Sequence, residues 1–293
     1  MTKKKEDFYT GVKVYELARS SIDEIYAQGS IEIPEKRLIW YPNQYIYLKA
    51  NDVSNSVGAI TRVSKGSKSL ELIREKEIHA FGLKPKNKEQ VMAMSGLLDD
   101  DIKLCTLTGK AGTGKTLITI AAALQKIEEK KYDRVIITRP MSQVGKYDLG
   151  ALPGEVNDKF GPYLENYMSN IQQLVGTKKG TAQDLIQMYK IQAMPMQLIR
   201  GASWINTFII GDEVQVCDKH EMLTLGTRVG EGSKLVIMGD LGQRDEDIAR
   251  EDTGIHHIIN SKRMKESPLT SHIELLKSER SALSELVALT FED

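Results

Sequence analysis

The chain has 293 residues, of which 41% are hydrophobic and 27% charged, proportions of a globular protein that exclude disordered and collagen-like classes. Lysine plus arginine and aspartate plus glutamate each number 40, so net charge gives no gross attraction to nucleic acid and leaves only a local basic groove open. No apolar run approaches the ~18–20 residues of a membrane span, no apolar stretch follows the first lysines, and the two cysteines lack zinc spacing; the expectation is no membrane, no secretion signal and a reducing cytoplasm.

Val14, Leu17, Ala18, Ile22, Ile25 and Tyr26 fall at helical spacing and predict a helix over 14–28, ended by Gly29. Short β-branched and aromatic runs follow at Ile31–Ile33, Leu38–Tyr41, Tyr45–Lys49, Ala59–Ser64 and Ser69–Ile73, separated by Pro34, Pro42-Asn43, Asn51-Asp52 and Gly66-Ser67. Residues 1–78 therefore read as a small N-terminal α+β module. The alternating tyrosines between 41 and 47 suit its core better than a base-stacking platform.

From residue 79 the rhythm becomes strand, loop, helix. Leu104–Thr108, Arg134–Thr138, Thr207–Gly211, Leu235–Met238 and His272–Leu276 are nearly continuous apolar runs, and Thr116 to about Lys126 is an apolar helix. Such strands suit a parallel sheet covered on both faces, so residues 79–293 are expected to form a three-layer α/β sandwich with a mainly parallel sheet. Tyr163–Leu174 and Ala182–Tyr189 read as helices inserted between two strands. Cys105 is expected to face the sheet interior with Cys217 packed nearby, and adjacent His256-His257 lack the spacing of a metal pair.

Gly109-Lys110-Ala111-Gly112-Thr113-Gly114-Lys115-Thr116 fits G-x-x-x-x-G-K-[ST] and lies after a strand and at the start of a helix. Its glycines let backbone N–H groups wrap a phosphate, and the helix start adds partial positive charge. Lys115 would reach the β- and γ-phosphates of ATP, and the Thr116 hydroxyl would join the Mg²⁺ shell. Asp212-Glu213, led in by Phe208–Gly211, supplies the acids such a site needs: Asp212 for Mg²⁺, directly or through water, and Glu213 to deprotonate the attacking water. Leu235–Met238 ends in Gly239-Asp240-Leu241-Gly242-Gln243, where Gln243 can touch the γ-phosphate and Asp240 can steady the site.

Together with Thr138-Arg139-Pro140, Leu152-Pro153-Gly154, Ile199-Arg200-Gly201, Asp212-Glu213-x-Gln215 and Ser278-Glu279-Arg280-Ser281, these elements resemble the PhoH family, ATPases related to superfamily 1 helicases. The resemblance runs from about residue 81 to 290 and implies a RecA-like P-loop NTPase core using ATP and Mg²⁺, with single-stranded RNA as partner and a hexameric ring as assembly. It also assigns Gln90, upstream of the phosphate loop, to the adenine edge, which an amide suits by donating and accepting at once. Arg280 is then the arginine that meets charge on the γ-phosphate, in its own or a neighbour's site, with Arg200 and Arg228 as further candidates. Arg139 serves either the nucleotide or a nucleic-acid backbone. Arg62-x-x-Lys65-Gly66-x-Lys68, Lys178-Lys179-Gly180 and Lys262-Arg263-x-Lys265 are basic loops that would track phosphate or be ordinary solvated faces. The N-terminal module resembles the segment that joins a PIN-type ribonuclease domain to the ATPase in one branch of the family. The 293 residues hold no counterpart of the four-acid nuclease site, so nuclease activity is not expected of them. The alternative to RNA remodelling is a nucleotide-gated factor that controls a protein partner without nucleic acid.

Overall fold

A computed structural model describes residues 8–52, 57–140, 167–174, 181–243 and 249–279, together with Leu283, Leu286 and Thr290. The chain enters as strand β1 (Val12–Leu17) and then forms helix α1 (Arg19–Gln28), whose last turn is closed by the Gly29 N–H on Ile25 O. The sequence predicts helix from Val14, whereas helix starts only at Arg19. Val12, Val14 and Tyr15 favour extended backbone, and parallel pairing with β3 (Tyr45–Ala50) satisfies it. Strands β2 (Ser30–Glu32), β4 (Gly58–Val63) and β5 (Ser69–Leu72) complete a five-stranded sheet in the order β1-β3-β4-β5-β2. The expected strand Leu38–Tyr41 is irregular instead: Trp40 buries its indole and donates Nε1–H to Glu35 O at 2.8 Å, which closes a loop.

Beyond this sheet come α2 (Lys88–Leu98), β6 (Leu104–Gly109), α3 (Lys115–Glu128) and β7 (Arg134–Arg139). Helix α4 (Ala182–Met188), β8 (Ile191–Pro195), β9 (Thr207–Gly211), α5 (Lys219–Gly226), β10 (Lys234–Gly239), α6 (Gly254–Asn260), α7 (Lys262–Lys265) and β11 (Thr270–Leu275) follow. Strands β6 to β11 form one six-stranded sheet, every pair parallel, in the order β11-β6-β10-β9-β7-β8. Side chains alternate across it. Val135, Ile137, Phe208, Ile210, Val236 and Met238 pack with α2 and α3, while Ile136, Ile209, Leu235 and Ile237 pack with α5 and α6. Cys105 lies in the first of these layers and Cys217 in the second, so the two cysteines are not neighbours as expected but are separated by the sheet.

Strand β6 sits between β10 and β11, both later in the chain. The chain leaves β6 through α3 toward β7 on the β10 side and later returns from β10 to β11 on its other side, and the crevice at such a switch point opens at the carboxyl ends of the strands. The strand of the acidic pair, β9, lies one strand further on, with β10 between. This order brings three loops to one edge.

Strand β3 serves two cores at once. Ile46 and Leu48 pack with Ile22, Ile25 and Leu70 in the N-terminal module, whereas Tyr45 enters the main core, its hydroxyl 3.0 Å from Ser271 Oγ. The junction is strapped by charge at the Asp99–Asp101 turn. Arg62 pairs with Asp99 at 2.7 Å and Lys65 with Asp101, while Lys126 and Lys131 of the α3 region reach Asp100 at 2.8 and 3.2 Å. Two of the charges of the basic loop Arg62–Lys68 are thus paired with carboxylates of the same chain, Arg62 half-buried and Lys65 at the surface.

Candidate active site

The loop after β6 has the backbone its glycines allow. Gly109 takes φ 140°, and a Cβ there would lie 2.1 Å from Leu275 O, so only glycine lets β11 run this close. Gly114 takes φ 90°, with Gln90 Nε2 in the space a Cβ would need. Thr113 is buried and donates its hydroxyl to Lys110 O at 3.0 Å. Lys115 opens α3 and donates to Gly109 O at 2.6 Å and Lys110 O at 3.0 Å, so its ammonium lies over the loop where phosphate oxygens would take over as acceptors.

At the end of β9, Asp212 is 8% exposed and both its oxygens are engaged: Oδ1 accepts the Glu213 N–H at 3.0 Å and Oδ2 accepts the Tyr167 hydroxyl at 2.6 Å. Burial pushes this carboxyl above the usual range, against the hydrogen bond from Tyr167 and the charge of Arg139, which favour the ionised form. Glu213 has the left-handed backbone, φ 54°, unusual for a residue with a side chain, and the residue borders the crevice. Gln215 spans from there to the next strand: its Nε2 donates to Glu213 Oε2 at 2.8 Å and its Oε1 accepts the Asp240 N–H at 3.2 Å. Asp240 in turn holds the Gly242 N–H at 2.9 Å, and Gln243, exposed, closes the turn through its N–H on Asp240 O.

One cleft of about 250 Å³ is lined by Ala111, Gly112, Gly114, Lys115 and Thr116, by Asp212 and Glu213, and by Asp240 and Gln243, with Asn170 as a further wall. Thr116 and Asp212 border it with hard oxygen donors, a set that fits Mg²⁺ completed by phosphate and water. Among the described residues no group of three or more His, Cys, Asp or Glu could hold a metal alone.

The other candidates are placed differently. Gln90 is buried with its amide spent on the protein: Oε1 accepts the Lys86 N–H at 2.9 Å and Nε2 donates to Thr113 O at 3.0 Å, so it braces the phosphate loop from behind. Arg139 ends β7 half-buried, and its charge is felt by Asp212 and Tyr167. Arg228 bonds Ala202 O and Thr227 Oγ1 near the start of β9, the end of the sheet opposite the cleft. Arg200 is exposed past the carboxyl end of edge strand β8 and makes no ion pair among the described residues. In the 262–265 segment Lys262 pairs with Glu266 at 3.7 Å and Lys265 lies over the rings of Tyr9 and Tyr41. Arg280, Leu152-Pro153-Gly154 and Lys178-Lys179-Gly180 lie outside the described residues. Sequence reasoning missed Tyr167 and Asn170. No spacing signal ties Tyr167 to an aspartate 45 residues away, since they meet only once the helical segment 167–174 packs against the core beside the end of β9.

A family model described as PhoH-like protein matches residues 82–292. The chain belongs to the PhoH-like protein family. Relatives include the protein PhoH2 of Bacillus subtilis, 37% identical over 97% of this PhoH-like chain and 64% of its own, and that of Mycolicibacterium smegmatis, 31% identical over 97% and 63%. This chain therefore spans less than two thirds of their length. The Escherichia coli protein PhoH is 34% identical over 49% of this chain and 40% of its own. Among solved structures, the Sulfolobus solfataricus SWI2/SNF2 ATPase core in complex with dsDNA covers 67% of this chain and 40% of its own, with a TM-score of 0.40 and 15% identity. The Pif1 helicase of Candida albicans covers 72% and 44%, with a TM-score of 0.36 and 19% identity. The strand order and the phosphate loop carry the P-loop fold assignment.

Proposed function

We propose that this PhoH-like protein is a cytoplasmic, Mg²⁺-dependent ATPase that couples hydrolysis to RNA unwinding or remodelling, with single-stranded RNA as its partner. The supporting observation is the convergence of Lys115-Thr116, Asp212-Glu213 and Asp240–Gln243 on one cleft from three different strand ends. In this reading the loop N–H groups and Lys115 bind the phosphates, and Thr116 and Asp212 hold the cation. Mg²⁺, when bound, neutralises phosphate charge and orients the γ-phosphate for attack. Glu213 takes the proton of the attacking water as its oxygen bonds to phosphorus, while Gln243 follows the γ-phosphate. Gln90 supports the loop and would meet adenine only by giving up one of its two backbone bonds. Residues 1–78 and 79–293 act as module and motor in a ring, which we take to be hexameric.

The internal use of Arg62, Lys65 and Lys265 favours a second reading, a nucleotide-gated factor acting on a protein partner. Measuring the ATPase rate with and without single-stranded RNA at two salt concentrations separates the two. Stimulation that weakens steeply with salt supports the RNA reading. An ATPase indifferent to RNA leaves the second, and a chain without ATPase activity removes both.

A further inference from the structure

Asp212 directly follows the apolar run Phe208–Ile210 and Gly211 of β9, and an isolated carboxylate there has several rotamers open to it. In the one it takes, Asp212 borders the cleft that Thr116 also lines. What selects that rotamer comes from outside the sheet. The helical segment 167–174 packs Tyr167 and Ile171 into the main core, one turn apart on one face, and Tyr167 is 2% exposed. The ring cannot swing away, so the hydroxyl that donates to Asp212 Oδ2 at 2.6 Å is fixed by packing rather than by the hydrogen bond itself. The opposite oxygen is held at 3.0 Å by the Glu213 N–H, and the carboxylate is clamped from two sides. Asn170, three residues along the same segment, lines the cleft that Asp212 borders.

We propose that Tyr167 is a positioning residue for the metal-binding carboxylate, setting the orientation in which Asp212 meets the cation of the bound nucleotide. The inference rests on the ATPase reading and concerns only how that site holds its cation. Tyr167 does not itself line the cleft; its hydroxyl meets Asp212. Its effect passes through Asp212, so it belongs to metal affinity and not to phosphate affinity, which the loop and Lys115 supply.

Binding of a fluorescent ATP analogue to the full chain, titrated with Mg²⁺ and repeated in EDTA, reads these two affinities separately. For Tyr167→Phe, loss of one hydrogen bond to a charged acceptor is expected to raise the half-saturating Mg²⁺ concentration about ten-fold, with affinity in EDTA within about two-fold of the wild type. Incorporating p-aminophenylalanine at 167 restores a donor on the same ring and is expected to recover most of the Mg²⁺ dependence. An unchanged Mg²⁺ half-saturation in Tyr167→Phe overturns the proposal, as does equal weakening with and without the cation. Failure of the Tyr167→Phe chain to fold also overturns it, since the hydroxyl then serves stability. A wild-type chain whose nucleotide binding ignores Mg²⁺ defeats the ATPase reading instead, and that result is seen before any variant is made.

Discussion

Glu213 combines strain with support. Its left-handed backbone, φ 54°, costs energy for any residue with a Cβ, and the contacts that hold it are the Asp212 carboxylate on its N–H and the Gln215 amide on its side chain. A glutamine in its place keeps the shape and can still accept from Gln215, but it cannot take a proton. Glu213→Gln is therefore expected to bind ATP normally and to turn it over at least ~10²-fold more slowly, whereas Lys115→Ala is expected to lose tight binding itself; equilibrium binding beside steady-state rates distinguishes the two. Gln215 yields a third outcome. Gln215→Ala leaves the Glu213 carboxylate and the Asp240 N–H without the partner that spans them, so kcat is expected to fall about ten-fold with KM little changed. Most of these residues were legible in the sequence because glycines before a helix and acids after an apolar strand are local signatures. Tyr167 and Asn170 were not, because their role depends on where an inserted helix comes to rest. The amide of Gln90 has one chemistry and two uses, and only the fold shows that Thr113 O and the Lys86 N–H claim it.

Among the elements, the apolar central strands were readable and the edges were not. Strand β8 alternates Gln192 with Ala193, ends in Pro195 and, among the described residues, pairs only with β7, so it lacks the continuous apolar run that marks a strand buried on both faces. Strand β1 carries helix-like spacing because Leu17 and Ala18 continue into α1, and its pairing with β3 was decided by tertiary contact. The other edge, β11, holds a titratable group: His272 is buried, its Nδ1 2.8 Å from Thr106 Oγ1, and burial pushes its pKa down to about 3. An unfolded histidine titrates near 6.5, so below about pH 6.5 the unfolded chain binds a proton that the folded one refuses. Stability is thus expected to fall by up to ~1.4 kcal/mol per pH unit as pH drops from about 6.5 toward 3, and His272→Gln should flatten that slope in denaturant titrations at pH 6.5, 5.5 and 4.5. The Asp99–Asp101 turn acts lower on the pH scale. Burial works to raise the Asp99 carboxyl, yet Arg62 beside it and the Asp101 N–H hold it below the ordinary range. Its contribution is fully present above about pH 4 and disappears as pH falls through the lowered value, so Arg62→Ala is expected to remove that part of the acid transition. Lys234, buried beneath the same turn, donates to Gly96 O, Leu97 O and Asp99 O at 3.1, 2.6 and 2.8 Å and so caps the end of α2.

At the scale of the whole molecule, one doubly wound sheet presents a cleft that, among the described residues, is open on one side, and the two arginine candidates for closing it follow opposite edge strands in the chain. Arg280 follows β11, and the residue before it, Glu279, donates its N–H to Gly112 O at 2.9 Å, which ties that segment to the phosphate loop of its own chain. Arg200 stands beyond β8, the far edge of the sheet, exposed and at the same carboxyl end as the cleft. A neighbour packed head-to-tail would bring one chain's β8 edge toward the next chain's cleft, and such contacts, repeated until they close, make a ring. The expectation is that Arg280 acts within its own subunit and Arg200 across the interface, where it meets charge on the γ-phosphate. Mixing separates the two assignments. Arg200→Ala and Glu213→Gln chains are each nearly inactive alone, but in a mixed ring some clefts unite an intact Glu213 with an intact Arg200 from the next subunit, so activity is expected to return. Arg280→Ala mixed with Glu213→Gln is expected to stay inactive, because every cleft then lacks one of the two groups. Recovery in the second mixture and not the first would exchange the two arginines. A monomer at micromolar concentration with full ATPase activity would remove the ring and, with it, any need for an arginine in trans.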